Sequence, residues 1–75
     1  MKKLKKNIDF KILENYGFIK GSTYYFMYNN LNEGVPKQLQ IHKGTGAIIY
    51  TNGTFEKGEK IIKKLEEAEM IEHYW

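Results

Sequence analysis

Apolar and polar residues alternate most clearly over residues 38–51, on both sides of a turn that contains glycine. This period of two is typical of half-buried strands, and the turn at Gly44-Thr45 predicts that the two strands form a β-hairpin. A two-residue and a four-residue loop give the same register. The predicted pairs on one face are Leu39 with Tyr50 and Ile41 with Ile48, and the other face carries Gln38, Gln40, His42, Ala47 and Ile49.

A further strand signal precedes the hairpin at residues 23–28, which are rich in aromatic side chains. Aromatic residues favour strands, so this run predicts the first strand of a three-stranded antiparallel sheet. Alternation places Tyr24, Phe26 and Tyr28 on one face and Tyr25 and Met27 on the other. Residues 29–36 contain the only proline and several turn-forming residues, so we expect an exposed loop there.

A short helix is predicted before the sheet. Asp9 is suited to cap its start, and Gly17 is suited to the left-handed conformation that ends a helix. Residues 8–12 also alternate in the manner of a strand, which is the competing interpretation.

A second helix is predicted after the hairpin, from about Glu59 to Glu69, with Thr54 or Gly58 before it. Its apolar stripe contains Ile61, Leu65 and Ala68, with Ile62 beside them. We expect the last residues to form an extended tail that packs back on the domain. The predicted class is α+β: a helix, a three-stranded sheet that includes the hairpin, a C-terminal helix and a short tail.

The chain has 75 residues and no cysteine. This length suits one modest core, which we assign to a single α+β domain over residues 8–75. The absence of cysteine excludes disulfides and thiolate metal sites and fits a reducing compartment. The apolar runs are too short for a membrane-spanning helix or a signal peptide, so we expect a cytoplasmic protein.

Positive charge is concentrated at the start of the chain. Residues 1–20 hold six lysines against two acidic residues, whereas residues 55–75 hold four lysines against six glutamates. We therefore expect residues 1–7 to be a basic, flexible tail. Its lysines, Lys2, Lys3, Lys5 and Lys6, are the candidates for weak, non-specific nucleic-acid binding. The chain has no arginine, which counts against sequence-specific readout.

The residues needed for catalysis or metal binding do not form a recognisable set. His42 and His73 are the only histidines, Ser22 is the only serine, and Asp9 is the only aspartate. A metal site or a hydrolytic triad needs several such groups together. Gly44-Thr45-Gly46 lacks the length and the following helix of a phosphate-binding loop. We expect neither an enzyme nor a cofactor or metal site.

The face of the sheet opposite the helices is the best candidate for a function. We expect it to expose Tyr25, Met27 and Ile49 within a rim of Gln38, Gln40 and His42. An apolar centre with a polar rim and few charges is typical of a protein-binding patch. The alternatives are that a helix or Trp75 covers this face, that strand-borne aromatic residues stack single-stranded nucleic acid, or that the face forms a structural homodimer.

Four segments carry a further pattern: residues 13–18 (LENYGF), Tyr24-Tyr25, residues 45–48 (TGAI) and residues 65–71 (LEEAEMI). Together they resemble the small accessory proteins encoded by phages and prophages of low-GC Gram-positive bacteria. Glu69 departs from the pattern, because a glycine is expected there. Some small phage proteins of this size are stoichiometric inhibitors of host defences, anti-CRISPR proteins among them. The resemblance therefore implies a phage-encoded inhibitor in the host cytoplasm that binds a bacterial defence complex, which is a nucleoprotein in some cases.

Overall fold

Strands, one 3₁₀ helix and one α-helix make up the α+β fold in the computed structural model, which describes residues 2–29 and 34–73. In chain order the elements are β1 (Lys2–Leu4), the 3₁₀ helix (Phe10–Tyr16), β2 (Ile19–Lys20), β3 (Tyr24–Tyr28), β4 (Gln38–His42), β5 (Ile48–Thr51), α1 (Glu56–Glu67) and β6 (Ile71–His73). The α+β class predicted from the sequence is confirmed.

The main sheet is antiparallel, with the strand order β2-β3-β4-β5. The β4–β5 hairpin has the predicted register, with Ile41 opposite Ile48 and Leu39 opposite Tyr50. Its loop is the four-residue form: the His42 amide donates to the Ala47 carbonyl at 2.9 Å, and the Gly46 amide donates to the His42 carbonyl at 2.8 Å. The alternation around Gly44 was therefore sufficient to predict this hairpin.

The start of the chain is a strand, which corrects the predicted flexible tail. Lys2–Leu4 pair with β6 in a two-stranded antiparallel sheet, and the Leu4 amide also donates to the Gly46 carbonyl at 2.8 Å. Leu4 is fully buried. A single leucine among lysines carries no periodic signal, so only its burial beside the hairpin reveals its role.

The predicted three-stranded sheet is correspondingly incomplete. The structure adds β2 to the edge of β3 and forms the separate β1–β6 pair, which an isolated bridge between Lys3 and Ala47 connects to the end of the hairpin. These added strands are two or three residues long. Strands this short contain too few residues for alternation to be recognised.

The inner face of the main sheet is the core side, and it includes Tyr25 and Met27. Met27 pairs with Leu39 and Tyr25 pairs with Ile41, and directly opposite residues share a face. The side chains of Tyr25 and Met27 are 3% and 1% exposed. The prediction that these two residues lie on the free face is therefore wrong, because the pairing of β3 with β4 turns them inward.

The 3₁₀ helix has the predicted ends. The Asp9 carboxylate accepts a hydrogen bond from the Lys11 amide at 3.0 Å, and Gly17 ends the helix with φ of 94°. Leu13 is the side chain that the helix buries. The competing strand interpretation, made for residues 8–12, is wrong for residues 10–12, which lie in the 3₁₀ helix.

α1 starts three residues earlier than predicted, after the buried Phe55, and it ends at Glu67. Gly58 therefore lies inside the first turn of α1 rather than before it. A glycine is needed there because a Cβ would be 3.1 Å from the Phe55 ring and 3.2 Å from the Tyr50 ring. Ile62 and Leu65 face the core, whereas Ala68 is exposed, so the predicted apolar stripe is rotated around the helix.

The chain leaves α1 through a Schellman motif. The Glu69 amide donates to the Glu66 carbonyl and the Met70 amide donates to the Leu65 carbonyl, both at 3.0 Å. Glu69 has φ of 60°, at the position where a glycine was expected. The predicted extended tail is confirmed for residues 71–73, while Trp75 lies outside the described residues.

The predicted loop at residues 29–36 begins at a buried residue, Asn29, rather than at an exposed one. Its side chain accepts from the Lys37 amide at 3.1 Å and donates to the Val35 carbonyl at 3.2 Å. Residues 30–33 lie outside the described residues, and residues 34–36 are exposed. Within the described part of the chain, no helix has the length and apolar character to cross a bilayer.

Candidate functional site

The face of the main sheet that points away from the core is the candidate site, and we call it the outer face. Paired residues continue across it in rows, such as Phe26, Gln40 and Ile49, or Tyr28, Gln38 and Thr51. None of its side chains is buried, so no described element covers it. The outer face consists of Ile19, Tyr24, Phe26, Tyr28, Gln38, Gln40, His42, Ile49 and Thr51.

Aromatic rings dominate the β3 side of the outer face. Tyr24 packs edge-to-face on His42 with ring centroids 5.1 Å apart, and Phe26 packs edge-to-face on Tyr28 at 5.6 Å. This is the favoured geometry for aromatic pairs, and it restrains the rings before any partner arrives. Tyr28 is 46% exposed and Ile49 is 39% exposed. The face therefore offers apolar surface in a restrained arrangement.

Two glutamine amides lie at the centre of the outer face. Gln40 donates from Nε2 to Oε1 of Gln38 at 2.6 Å. A carboxamide has two donor hydrogens and a carbonyl acceptor, so each amide keeps hydrogen-bonding capacity beyond this bond. The bond orients both amides on a surface that otherwise consists mainly of rings and aliphatic groups.

His42 has a structural role as well as a place on the outer face. Its Nδ1 accepts hydrogen bonds from the backbone amides of Gly44 at 3.0 Å and Thr45 at 3.1 Å. Because two N–H groups point at Nδ1, the ring hydrogen is on Nε2. His42 therefore stabilises the hairpin loop and holds its ring against Tyr24.

A shallow concavity, which we call the hollow, lies on the outer face beside the β2–β3 turn. It has a volume of about 290 Å³. A Cβ at Gly21 would lie 2.6 Å from the Tyr24 carbonyl oxygen and 3.1 Å from the Phe26 ring, so only glycine allows the turn to approach so closely. The lining residues are Gly21, Ser22, Thr23, Tyr24, Phe26, Gln38 and Gln40.

The structure brings four of the six predicted protein-binding residues together on the outer face: Gln38, Gln40, His42 and Ile49. Tyr25 and Met27 are in the core instead, and the alternate residues of β3 take their place. The sequence analysis correctly placed Tyr25 and Met27 on one face of β3 and its other aromatic residues on the opposite face. It then assigned the wrong one of these two sets to the outer face. Since both sets are apolar and aromatic, alternation within β3 contains no signal that could have chosen between them.

The lysines predicted as a nucleic-acid-binding tail are partly paired. Lys2 lies 3.3 Å from the Glu66 carboxylate and Lys3 lies 3.3 Å from that of Glu72. Lys3 and Lys6 also line a shallow concavity with Gly44 and Thr45. Ion pairs of this kind add little stability, but they reduce the positive potential that a phosphate backbone would meet.

The ionisable side chains of the described residues are dispersed, and Tyr50 is one whose pKa is clearly shifted. In residues 2–29 and 34–73, no three His, Asp or Glu side chains come together as a possible metal site. Burial raises the pKa of Tyr50 to about 12, with further contributions from the charge of Glu59 and from hydrogen bonding toward its side chain. At the distances in this structure the buried Tyr50 hydroxyl forms no direct hydrogen bond with a described residue, so the Glu59 carboxylate lies nearby and acts on it mainly through its charge. Tyr50 therefore stays protonated at neutral pH, on the inner side of the sheet.

Comparisons with family models, with curated proteins and with solved structures found no match for this chain.

Proposed function

We propose that this chain is a protein-binding module that acts through its outer face. The observation that carries the proposal is the uncovered set of rings and aliphatic side chains around the Gln38–Gln40 amide pair. Aromatic anchors within a polar rim are the usual composition of an interface centre. The proposed action is binding rather than catalysis.

Charge supports a protein partner over nucleic acid. None of the outer-face side chains is a lysine, and two of the four lysines near the chain start face glutamates at 3.3 Å. Binding to a phosphate backbone depends on several lysine or arginine contacts. The runner-up, a nucleic-acid-binding accessory protein, therefore has less support than protein docking.

The narrower proposal is that the partner is a bacterial defence complex and that this chain is its stoichiometric, phage-encoded inhibitor in the host cytoplasm. Its support is the resemblance to small phage and prophage proteins described above. The outer face fits this proposal because an inhibitor that acts by occupancy needs a docking surface and no catalytic group.

The test is a capture experiment with a matched pair of variants. Tagged chain is incubated with a lysate of phage-infected Gram-positive cells, with and without nuclease, and captured proteins are identified by mass spectrometry. Ile49→Lys places a charge on the outer face, whereas Val35→Lys makes a comparable change at an exposed residue outside that face. The captured protein is then purified and its affinity is measured by calorimetry.

We expect Ile49→Lys to weaken binding about tenfold or more and Val35→Lys to change it less than about twofold. Equal effects of the two substitutions would contradict docking through the outer face. Capture that nuclease abolishes would favour the nucleic-acid alternative. If light scattering shows a dimer that Ile49→Lys separates, the structural homodimer becomes the better proposal.

A further inference from the structure

The hollow has the size of a subsite for one side chain. Its volume of about 290 Å³ is at the lower limit of ligand pockets, which typically have ~300–1,000 Å³. It is open to solvent and lies within the outer face, so a group that projects from a docked surface can reach it.

The lining of the hollow favours a neutral occupant. Its seven residues carry no formal charge at neutral pH, and the remaining polar groups are amides, hydroxyls and backbone. A carboxylate, phosphate or guanidinium placed there would lose hydration without gaining an opposite charge. The occupant that fits is neutral. A nucleotide is a poor match, because its phosphate would have no lysine among the lining residues.

The remaining features of the lining select an aromatic occupant with a polar edge. Tyr24 and Phe26 provide ring surface, and Gln38 and Gln40 provide donors and acceptors on the opposite side of the hollow. Tyrosine and tryptophan are the neutral side chains that combine an aromatic body with a hydrogen-bonding group. We propose that the hollow is the anchor subsite for a tyrosine or tryptophan side chain of the partner protein, an inference that rests on the proposed protein docking through the outer face.

Restrained geometry adds to this assignment. The Phe26 ring is held by Tyr28 at 5.6 Å and by the close approach of Gly21, while the Gln38–Gln40 bond at 2.6 Å orients the amides. Groups that are already ordered lose less conformational entropy when a ligand binds. Such a subsite can select its occupant without rearranging.

The experiment uses amino-acid amides as probes and does not require the partner. Nitrogen-15-labelled chain is titrated with N-acetyl-tyrosinamide or N-acetyl-tryptophanamide, and amide shifts are followed by NMR. The comparison probes are N-acetyl-phenylalaninamide, which lacks the polar edge, and adenosine, which tests a nucleobase. We expect shifts in residues 21–24 and in the Gln38 and Gln40 side-chain amides, with a dissociation constant on the order of 1 mM. The phenylalanine probe should bind about threefold or more weakly.

Gln40→Leu tests the polar half of the hollow, and Thr51→Val is its matched control on the same face but outside the hollow. Gln40→Leu should remove the preference for the tyrosine probe over the phenylalanine probe, and Thr51→Val should preserve it. The NMR spectra themselves show whether each variant is folded.

The proposal is overturned if no shifts appear at about ten times the expected dissociation constant, if tyrosine and phenylalanine probes bind equally to the unmodified chain, or if adenosine binds more tightly than both aromatic amides. Because the probes report on the hollow alone, this failure is distinguishable from failure of the capture experiment. Loss of capture in Ile49→Lys with no probe binding would retain the docking face and reject the anchor subsite.

Discussion

In β3 the two faces of the main sheet carry similar residues, yet they have different environments. Tyr25 on the inner face is 3% exposed, whereas Tyr28 on the outer face, three residues later in β3, is 46% exposed. The inner face packs with core residues from the helices and from β1, and no described element covers the outer face. Within β3, residue type therefore does not distinguish the inner face from the outer face, whereas coverage by other elements does.

The largest expected effect comes from truncating neighbouring tyrosines on opposite faces. Tyr25→Ala should lower the free energy of unfolding by about 3–5 kcal/mol, because it leaves a cavity beside Ile41 and removes the ring that lies 5.4 Å from the Lys43 ammonium. Tyr24→Ala should cost about 1 kcal/mol, since it mainly loses the contact with His42. Urea titration measures both. Equal losses would contradict the assignment of the two faces.

Leu4→Ala tests whether the hydrophobic core on the inner face of the sheet includes the start of the chain. Leu4 is fully buried, so its truncation should cost about 2–4 kcal/mol. Lys6→Ala, at an exposed position in the same segment, should stay within about 0.5 kcal/mol. The same urea titrations apply. A Leu4→Ala variant as stable as the parent chain would restore the interpretation of this segment as a tail.

Glu69→Gly is expected to increase stability by about 1 kcal/mol, because Glu69 has φ of 60° and glycine adopts that conformation without steric cost. Glu67→Gly is the matched control. Glu67 is the last residue of α1 and has helical backbone, so the same substitution there should decrease stability by up to about 1 kcal/mol. Thermal unfolding should therefore give midpoint shifts of opposite sign. Two decreases would argue against the left-handed conformation at Glu69.

The smallest expected effect is that of Tyr50→Phe, which removes a buried hydroxyl without a described hydrogen-bond partner. Stability at neutral pH should stay the same or rise by up to about 1 kcal/mol. A Tyr50→Phe variant that loses more than about 2 kcal/mol would show that the hydroxyl does have a partner.

The same residue predicts a dependence on alkaline pH. The pKa of Tyr50 is raised to about 12 in the folded chain, from 10.0. Between these values the unfolded state ionises first, so stability falls as the pH rises from about 10 to about 12. Tyr50→Phe should make this decrease smaller in urea titrations across that range. An identical decrease in both proteins would contradict the raised pKa.

Local sequence signals predicted the elements that have strong periodicity or defined ends. Alternation around Gly44 was enough for the hairpin register, and Asp9 with Gly17 was enough for the ends of the 3₁₀ helix. The expected glycine at position 69 corresponds to a left-handed residue in the structure. The short strands were missed because two or three residues are too few to show alternation. The start of α1 was missed because Gly58 packs against the rings of Phe55 and Tyr50 inside the helix rather than before it.

The sequence by itself determined which residues share a face within each strand, since side chains alternate in any extended backbone. It therefore grouped Gln38, Gln40, His42 and Ile49 correctly. Only the tertiary structure decided which alternate residues of β3 lie on the same face as these four residues. That choice depends on the pairing of Met27 with Leu39 across the loop, and on the helices and Leu4 that cover the inner side. Both sets of β3 are apolar, so burial of either would satisfy the hydrophobic effect locally, and the long-range pairing decides between them.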